Sequence, residues 1–227
     1  MQLSQAKNEV QKIGVRLKGT STNYLNASAF WCEVTEGDVR LLTSAHVLRN
    51  LQSSSRKSMK ADVEVHISSL SNLNTTVYNC TIEIHPLNNV PGYLNAVGTG
   101  VHPPVDVAWI KPCDGVLLPK AAVFCVEHAI PPLGCHVIGV GFIDQYLEQS
   151  TMFGVFDSSN VLRSSYGYKI RGGALPACSG SPFFVVTKVS NSWTEEVNTT
   201  NLKVIGMLNG AINLDFYSLQ SSKNFHW

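Results

Sequence analysis

Short apolar runs rich in β-branched residues follow one another along most of this chain, and they restrict its fold more than any other feature. Each run is three to six residues long, and turn-forming Gly, Asn, Ser and Pro separate it from the next. Many short strands at this spacing are typical of β-sandwiches and β-barrels. We therefore predict an all-β fold with strands over residues 15–17, 29–34, 39–42, 63–67, 81–84, 122–126, 136–140, 183–186 and 203–208.

The clearest helical pattern stands at the start of the chain. Leu3, Ala6, Val10 and Ile13 fall on one face of a helix, and Gly14 follows as a residue type that commonly ends one. We expect a short N-terminal helix that stops at Gly14.

The composition is that of a globular domain without bulk affinity for charged partners. Hydrophobic residues make up 44% of the 227 residues, charged residues make up 15%, and the net charge is +1. A chain of this length buries roughly 70% of its unfolded surface, so it needs neither disulfides nor a metal to fold. We expect no nucleic-acid partner from this charge and no membrane span, because no apolar stretch approaches roughly 20 residues.

The cysteines bear on the cellular setting, and they are Cys32, Cys80, Cys113, Cys125, Cys135 and Cys178. Their spacing shows neither a disulfide framework nor a CxxC pair, so we predict reduced thiols, no metal site and no cofactor. Because the first residues lack the apolar core of a signal peptide, we predict a cytoplasmic protein, in the host cytoplasm if the chain is viral. Several Asn-X-Ser/Thr patterns point the other way, but they arise readily by chance in a chain rich in these residues.

One hexapeptide suggests a nucleophile: Ala177-Cys178-Ser179-Gly180-Ser181-Pro182. It leads directly into the predicted strand 183–186, as a tight turn does when it presents a serine hydroxyl at the mouth of a strand. Alone the pattern is weak, because Ser, Gly and Pro fill ordinary turns. Ser179 is the candidate nucleophile, and the backbone amides of Ala177 and Ser179 are candidates for an oxyanion hole. Cys178 is a chemical alternative to Ser179, and Ser181 is a hydroxyl expected to bond within the turn.

A nucleophilic serine needs a base within hydrogen-bond reach and a group that orients the base. His46 is the candidate base, because it follows the predicted strand 39–42 with the small residues Ser44 and Ala45 between. Such a histidine fits the rim of a barrel facing a cleft. A histidine packed in the core, or one that caps a helix, is the alternative.

Asp106 is the candidate orienting acid, because it stands inside the apolar segment 105–110. Burying a carboxylate in an apolar strand costs several kcal/mol unless it is paired. A turn aspartate after Pro103-Pro104 is the alternative. Asp114 and Asp144 lie beside Gly or in polar sequence and need no buried partner.

Together the three segments resemble the motifs of the chymotrypsin-like serine peptidases. That family's motifs run Thr-Ala-Ala-His, Asp-Ile-Ala-Leu and Gly-Asp-Ser-Gly-Gly-Pro, in this order. Here they stand as Thr43-Ser44-Ala45-His46, Asp106-Val107-Ala108-Trp109 and Ala177-Cys178-Ser179-Gly180-Ser181-Pro182. The resemblance covers roughly residues 15–214, although motif identity is confined to these segments.

The resemblance implies two six-stranded antiparallel β-barrels with the active site in the cleft between them. His46 and Asp106 would come from the first barrel and Ser179 from the second. The implied division is an N-terminal helical extension (1–14), a first barrel (15–112), a linker (113–119), a second barrel (120–214) and a C-terminal tail (215–227).

Two departures from the animal digestive members point to the intracellular bacterial, organellar and viral branches. Val47 stands where digestive members carry a disulfide-bonded cysteine. Cys178 stands where they carry the aspartate that receives the new N-terminus of a cut zymogen. A third departure is Ala177, which replaces the family's oxyanion-hole glycine.

The resemblance also implies a substrate-binding region. Gly173 would lie at the base of the primary pocket, and Leu208 would stand where Glu- or Gln-specific relatives carry a histidine. We therefore predict a preference for an apolar or small residue before the scissile bond. The backbone of Asn209, Gly210 and Ala211 would pair with extended substrate as an added strand.

We predict a serine endopeptidase that cleaves polypeptides through an acyl-enzyme intermediate. Viral polyprotein processing is one setting, and Leu219-Gln220-Ser221 resembles a cleavage site of some viral proteases. A bacterial or organellar peptidase is another, and the oligomeric state stays open.

The alternative function is a peptidase fold without turnover that binds peptides or proteins, which Ala177 favours. An esterase built on Gly-x-Ser-x-Gly is disfavoured, because its histidine comes last in the chain.

Overall fold

The computed structural model describes residues 3–52, 58–70, 76–88, 105–119, 121–143, 148–159, 167–173, 178–186, 203–211 and 215–227. These residues are mostly β-strands, with two short α-helices, α1 (Leu3–Glu9) and α2 (Ala45–Leu51). Single 3₁₀ turns cover Pro86–Asn88 and Ser222–Asn224. Within the described ranges, no helix is both long and apolar enough to cross a membrane.

Six strands from the first half of the chain close into a ring. They are β1 (Gln11–Leu17), β2 (Leu25–Thr35), β3 (Asp38–Thr43), β4 (Lys60–Ser68), β5 (Val77–Ile84) and β6 (Ala108–Pro112). Their order around the ring is β1-β4-β5-β6-β3-β2, and β2 pairs again with β1. All of these pairings are antiparallel.

Six strands from the second half close into a second ring, after a short strand β7 (Phe124–Val126). They are β8 (His136–Ile143), β9 (Glu148–Ser159), β10 (Gly167–Arg171), β11 (Pro182–Val185), β12 (Lys203–Ala211) and β13 (Phe216–Ser221). The order β12-β11-β8-β9-β10-β13 closes through the pairing of β12 with β13. The predicted all-β fold of two six-stranded barrels is confirmed.

Strand β7 joins the two rings, because it pairs in parallel with β2 on one side and β12 on the other. The apolar residues accordingly form three clusters. One fills the first barrel, with Ile13 and Val65, and one fills the second, with Phe183 and Leu219. The third, which we call the inter-barrel core, takes side chains from both rings and includes Phe30 and Phe184. The segments that carry the chemical groups meet beside this inter-barrel core.

The N-terminal helix exists, but the prediction that it ends at Gly14 is wrong. The helix ends at Glu9, and Gly14 lies inside β1, which begins at Gln11. Ile13 and Val15 both point into the first barrel. The first barrel therefore begins before residue 15, because an alternating apolar pattern takes over where the helical stripe was expected to continue.

The prediction of a C-terminal tail over 215–227 is also wrong. Phe216–Ser221 is the last strand of the second barrel and pairs with both β10 and β12. Farther on, Phe225 is fully buried in the inter-barrel core. The Leu219-Gln220-Ser221 segment is likewise buried within this strand, so the folded chain does not expose it as a cleavage site.

Candidate active site

The turn that carries Ser179 is packed against the first barrel. The Ser28 backbone N–H, on β2, donates to the Ser179 carbonyl at 2.8 Å. Gly180 has φ +86°, and a Cβ on it would lie 2.1 Å from the Ser28 carbonyl oxygen. Glycine alone tolerates both the positive φ and the lack of space for a Cβ. Ser181, which competed with Ser179 in the sequence, instead donates its hydroxyl to the Cys178 carbonyl within the turn.

His46 is the second residue of α2, the helix that follows β3. The Ser44 hydroxyl, placed to cap this helix, instead donates to the Leu208 carbonyl of the second barrel at 3.0 Å. The His46 backbone N–H donates to Asp106 Oδ1 at 2.8 Å. The carboxylate thus satisfies an N–H group of the first helical turn, which has no partner within the helix.

Asp106 lies in the irregular segment 105–107 that leads into β6, rather than inside a strand as its apolar neighbours had suggested. Its side chain is 0% exposed. Val105 and Val107, on either side, belong to the inter-barrel core. Val105 and Val107 are therefore buried in the inter-barrel core while the carboxylate between them contacts His46.

The three side chains form one hydrogen-bonded row. Ser179 Oγ lies 2.8 Å from His46 Nε2, and His46 Nδ1 lies 2.7 Å from Asp106 Oδ2. Because an ionised carboxylate can only accept, Nδ1 carries the proton and Nε2 is free to accept from the serine hydroxyl. This is the tautomer that a general base needs.

Two opposing effects set the protonation of His46. Burial lowers the pKa of His46, but the Asp106 carboxylate more than offsets this through its charge and hydrogen bond, so the pKa stands above its ordinary value. The imidazole side chain is 23% exposed, which leaves one side open to a substrate. An imidazolium that forms next to Ser179 is therefore stabilised by a fixed negative charge.

Solved structures of serine proteases share this fold at low sequence identity. The active form of the Rv3671c protease from M. tuberculosis matches with a TM-score of 0.59 over 98% of this chain and 79% of that chain, at 15% identity. The serine endoprotease from Yersinia pestis matches with a TM-score of 0.57 over 97% of this chain and 61% of that chain, at 12% identity. No protein-family model and no curated protein sequence matches the chain.

The chain has the fold of the chymotrypsin-like serine peptidases. In this fold the chemical groups come from different barrels. His46 lies in α2 after β3 and Asp106 just before β6, both connected to the first ring, whereas Ser179 lies in the turn that leads into β11 of the second. Their separations along the chain are 60 and 133 residues from His46, so folding alone brings them together.

Cys178 is placed where it cannot compete with Ser179 in the folded chain. It is 0% exposed and packs in the interior of the second barrel. Burial raises the pKa of the Cys178 thiol to about 11. Since the thiolate is the nucleophilic form, a thiol that stays protonated and enclosed is inert.

Hydrogen bonds from other segments hold the backbone at three consecutive residues, 105–107. Asn88 Nδ2 donates to the Val105 carbonyl at 2.9 Å, and the His85 N–H donates to the Val107 carbonyl at 3.0 Å. Between them, the Asp106 N–H donates to Gln220 Oε1 at 2.8 Å. Sequence reasoning missed these supporting residues, because each is remote from Asp106 in the chain and none belongs to a motif.

The helix of His46 is tied to the same loop. Arg49, one turn after His46, donates from Nε to Asn88 Oδ1 at 3.0 Å. Asn88 in turn holds the Val105 carbonyl. Both side chains are buried, so this bridge fixes the histidine helix relative to the aspartate loop.

The predicted substrate-binding residues lie in two places. Gly173 borders a cavity of about 360 Å³ lined by Arg171, Gly172, Gly173, Asp215 and Phe216. Leu208 is buried in the second barrel beside the Ser179 turn, whose Gly180 N–H donates to the Leu208 carbonyl. The sequence prediction missed two charged residues, Arg171 and Asp215, that line the same cavity as Gly173.

The remaining predicted residues lie at the end of β12 or outside the described ranges. Asn209 is skipped in the β12–β13 register, and its buried Oδ1 has no hydrogen-bond partner among the described residues. Gly210 and Ala211 then resume pairing with β13. Ala177, the other predicted oxyanion-hole residue, lies outside the described residues.

Metal-ligating residues form no cluster in the described ranges, which include all six cysteines. Each of the six cysteines is a free thiol in the structure.

Proposed function

We propose that this protein is a serine endopeptidase in which Ser179 is the nucleophile, His46 the general base and Asp106 the orienting acid. The observation that carries the proposal is the continuous row from Ser179 Oγ to His46 Nε2 and from His46 Nδ1 to Asp106 Oδ2, with distances of 2.8 and 2.7 Å. A buried carboxylate, a partly exposed imidazole and a hydroxyl in this order are what acyl transfer to serine requires.

In the first half-reaction, Ser179 Oγ attacks the scissile carbonyl carbon while its proton passes to His46 Nε2. The charge on the resulting imidazolium is stabilised by Asp106, which keeps its own negative charge. The carbonyl oxygen becomes an oxyanion, for which the Ser179 and Ala177 amides are the proposed donors. Collapse of this intermediate breaks the C–N bond, and the Nε2 proton goes to the leaving amine.

In the second half-reaction, water replaces the amine. His46 Nε2 takes a proton from the water as it attacks the ester carbonyl of the acyl-enzyme, and then returns the proton to Ser179 Oγ. The carboxylic acid product leaves and the free enzyme is restored. The raised pKa of His46 favours holding the proton during both steps.

The unpaired side of β12 beside this row supports the binding of an extended peptide. On the side of β12 that faces β11, strand pairing extends as far as Met207. At Leu208 the backbone hydrogen bonds go to the turn that contains Ser181. Beyond that point, Asn209, Gly210 and Ala211 have no strand on this side among the described residues. We propose that substrate adds here as a strand, with an apolar or small residue before the scissile bond.

Labelling with a fluorophosphonate probe tests the nucleophile. The wild-type protein should gain one covalent adduct by intact-protein mass spectrometry, and Ser179→Ala should gain none. Ser181→Ala is the matched control, because it removes the neighbouring hydroxyl of the same turn and should still be labelled. Equal labelling of wild type and Ser179→Ala would rule out the assignment, and no labelling of a folded wild-type protein would favour the peptide-binding alternative.

A library of internally quenched peptides tests the endopeptidase activity and its preference. Cleavage within the peptides, dependent on Ser179, is expected to favour apolar or small residues before the cut. Strong preference for Lys or Arg would contradict the proposed pocket and point to the Asp215 carboxylate beside Gly173. Preference for Glu or Gln would contradict the argument from Leu208.

A further inference from the structure

A hydrogen bond crosses from the second barrel to the backbone of the proposed catalytic aspartate. The Asp106 N–H donates to Gln220 Oε1 at 2.8 Å. Both residues are buried, with Gln220 1% exposed and Asp106 fully enclosed. A buried amide oxygen and a buried N–H that meet in this way are each satisfied by the other, so the bond resists exchange with water.

The strand geometry explains why Gln220 faces away from its own barrel. In β13, Leu219 points into the second barrel and packs with Leu208. Gln220, the next residue, therefore points to the opposite face. Its partner across the ladder is Met207, whose side chain belongs to the inter-barrel core. A long polar side chain on this face reaches the loop that carries Asp106.

The other bonds to this loop come from the first half of the chain. Val105 is held by Asn88 and Val107 by His85, both at the 3₁₀ turn that follows β5. Of the three, Gln220 alone connects the aspartate loop to the barrel that supplies Ser179. The reverse connection also exists, since the N–H of Ser28 on β2 holds the Ser179 carbonyl.

We propose that Gln220 is a positioning residue for Asp106, one that fixes the carboxylate in register with His46 from the barrel that carries the nucleophile. This rests on the proposed function. Both Asp106 oxygens are engaged by His46, one by the backbone N–H and one by Nδ1. A small rotation of the Asp106 backbone would lengthen both bonds together, so the peptide N–H is an effective point at which to hold it.

Replacing Gln220 with methionine tests the inference, because methionine has a similar length and lacks the acceptor oxygen. Gln220→Met should lower kcat by about 10- to 100-fold, the range expected when a catalytic group is displaced by about 1 Å. KM should change less than about threefold, because Gln220 does not contact substrate. The kcat values are normalised to active sites titrated with the fluorophosphonate probe.

The pKa of His46 supplies a readout that a merely structural role would not move. Asp106 raises this pKa, so displacing the carboxylate should lower it. The acid limb of kcat/KM should then shift to lower pH in Gln220→Met. The same shift should appear when His46 is titrated by NMR in a Ser179→Ala background, where no turnover is needed. Gln220→Glu keeps an acceptor oxygen and should retain more activity than Gln220→Met, with no downward shift.

Ser222→Ala is the matched control. Ser222 lies two residues beyond Gln220 and is itself buried. The substitution removes a hydrogen bond from the Ser222 hydroxyl to the backbone carbonyl of Glu127, which lies outside the proposed site. It should lower the melting temperature while leaving kcat and the pKa of His46 unchanged.

The outcomes separate the inference from the function on which it rests. A folded Gln220→Met variant with the kcat and His46 pKa of the wild type would overturn the inference. If Gln220→Met does not fold, Gln220→Asn takes its place, because it moves the oxygen back by one methylene. The same NMR titration of His46 then decides whether Gln220 positions Asp106. If the wild-type protein neither labels nor cleaves, the proposed function fails, while the titration still decides whether Gln220 positions Asp106.

Discussion

His46 and Asp106 meet through two hydrogen bonds: His46 Nδ1 lies 2.7 Å from Oδ2 and the His46 backbone nitrogen lies 2.8 Å from Oδ1. The carboxylate therefore orients both the imidazole and the helix that carries it. A neutral amide at this position could keep the shape of the site but would have to donate one of these bonds.

Asp106→Asn should consequently lower kcat by on the order of 10⁴-fold, because an amide favours the wrong imidazole tautomer. The backbone bond to His46 N–H needs an acceptor, so the amide NH₂ is expected to face Nδ1. Rates of peptide cleavage for Asp106→Asn and wild type, each normalised to folded protein, measure the effect. A loss below about tenfold would contradict the orienting role.

The turn after Ser179 should not tolerate a side chain at Gly180. Gly180→Ala places a Cβ 2.1 Å from the Ser28 carbonyl and 2.8 Å from Thr43 Oγ1 at a positive φ. We expect a loss of about 2–5 kcal/mol in the free energy of unfolding, together with loss of fluorophosphonate labelling.

Gly115→Ala is the control for the cost of positive φ alone. Gly115 has φ +77°, and nothing lies within 4 Å of its Cβ position. Urea unfolding should show a cost of about 1 kcal/mol and labelling should persist. Equal effects at the two glycines would mean that contact with Ser28 does not matter.

Cys178 should resist alkylation while the chain is folded. The thiol is enclosed and burial raises its pKa to about 11, whereas Cys125 on β7 is exposed. Iodoacetamide at pH 8 should modify Cys125 first and reach Cys178 only after unfolding in urea. Peptide mapping by mass spectrometry reads out each site, and early modification of Cys178 would reopen its competition with Ser179.

Acid should destabilise the protein through His85. Burial, together with the nearby Arg40 charge, lowers the pKa of His85 to about 4. The unfolded chain therefore binds this proton below about pH 6.5, where the folded chain does not. The free energy of unfolding should fall between pH 6.5 and pH 4, with His85 contributing up to about 3 kcal/mol of the loss.

His85→Asn is the variant that isolates this contribution. Its Oδ1 can replace His85 Nδ1 as acceptor of the Leu87 N–H but does not titrate. Urea unfolding at pH 7 and pH 4.5 should show a smaller acid loss in the variant than in the wild type. Identical losses would show that other groups account for the acid sensitivity.

Short apolar runs predicted most strands, because consecutive side chains of a strand point to opposite faces and both faces are buried where the two barrels meet. Leu41 and Leu42 show this directly: Leu41 lies in the first barrel and Leu42 in the inter-barrel core. The same rule shows where the prediction failed. Ile13 fits both a helical stripe and a strand alternation with Val15. The segment is a strand because it forms hydrogen-bonded pairs with β2 and β4.

Buried polar residues were beyond local reasoning. Ser218, Gln220 and Ser221 made the C-terminal segment look solvent-exposed, yet all three are buried in β13. Their polarity is compensated by partners such as Asp106, which lies 114 residues away from Gln220 in the chain. No local pattern contains that information.

The sequence by itself determined which residues are candidates for chemistry, because the segments that contain His46, Asp106 and Ser179 stand in the order of the chymotrypsin-like motifs. Of the three, only the aspartate in apolar sequence conflicts with its surroundings unless it is paired. Only the tertiary structure decided the pairing. When the two rings close, the end of β3, the start of β6 and the turn before β11 come together at the inter-barrel core. The tertiary structure also excluded Cys178 as the nucleophile, because burial, which the sequence does not show, raises the pKa of its thiol.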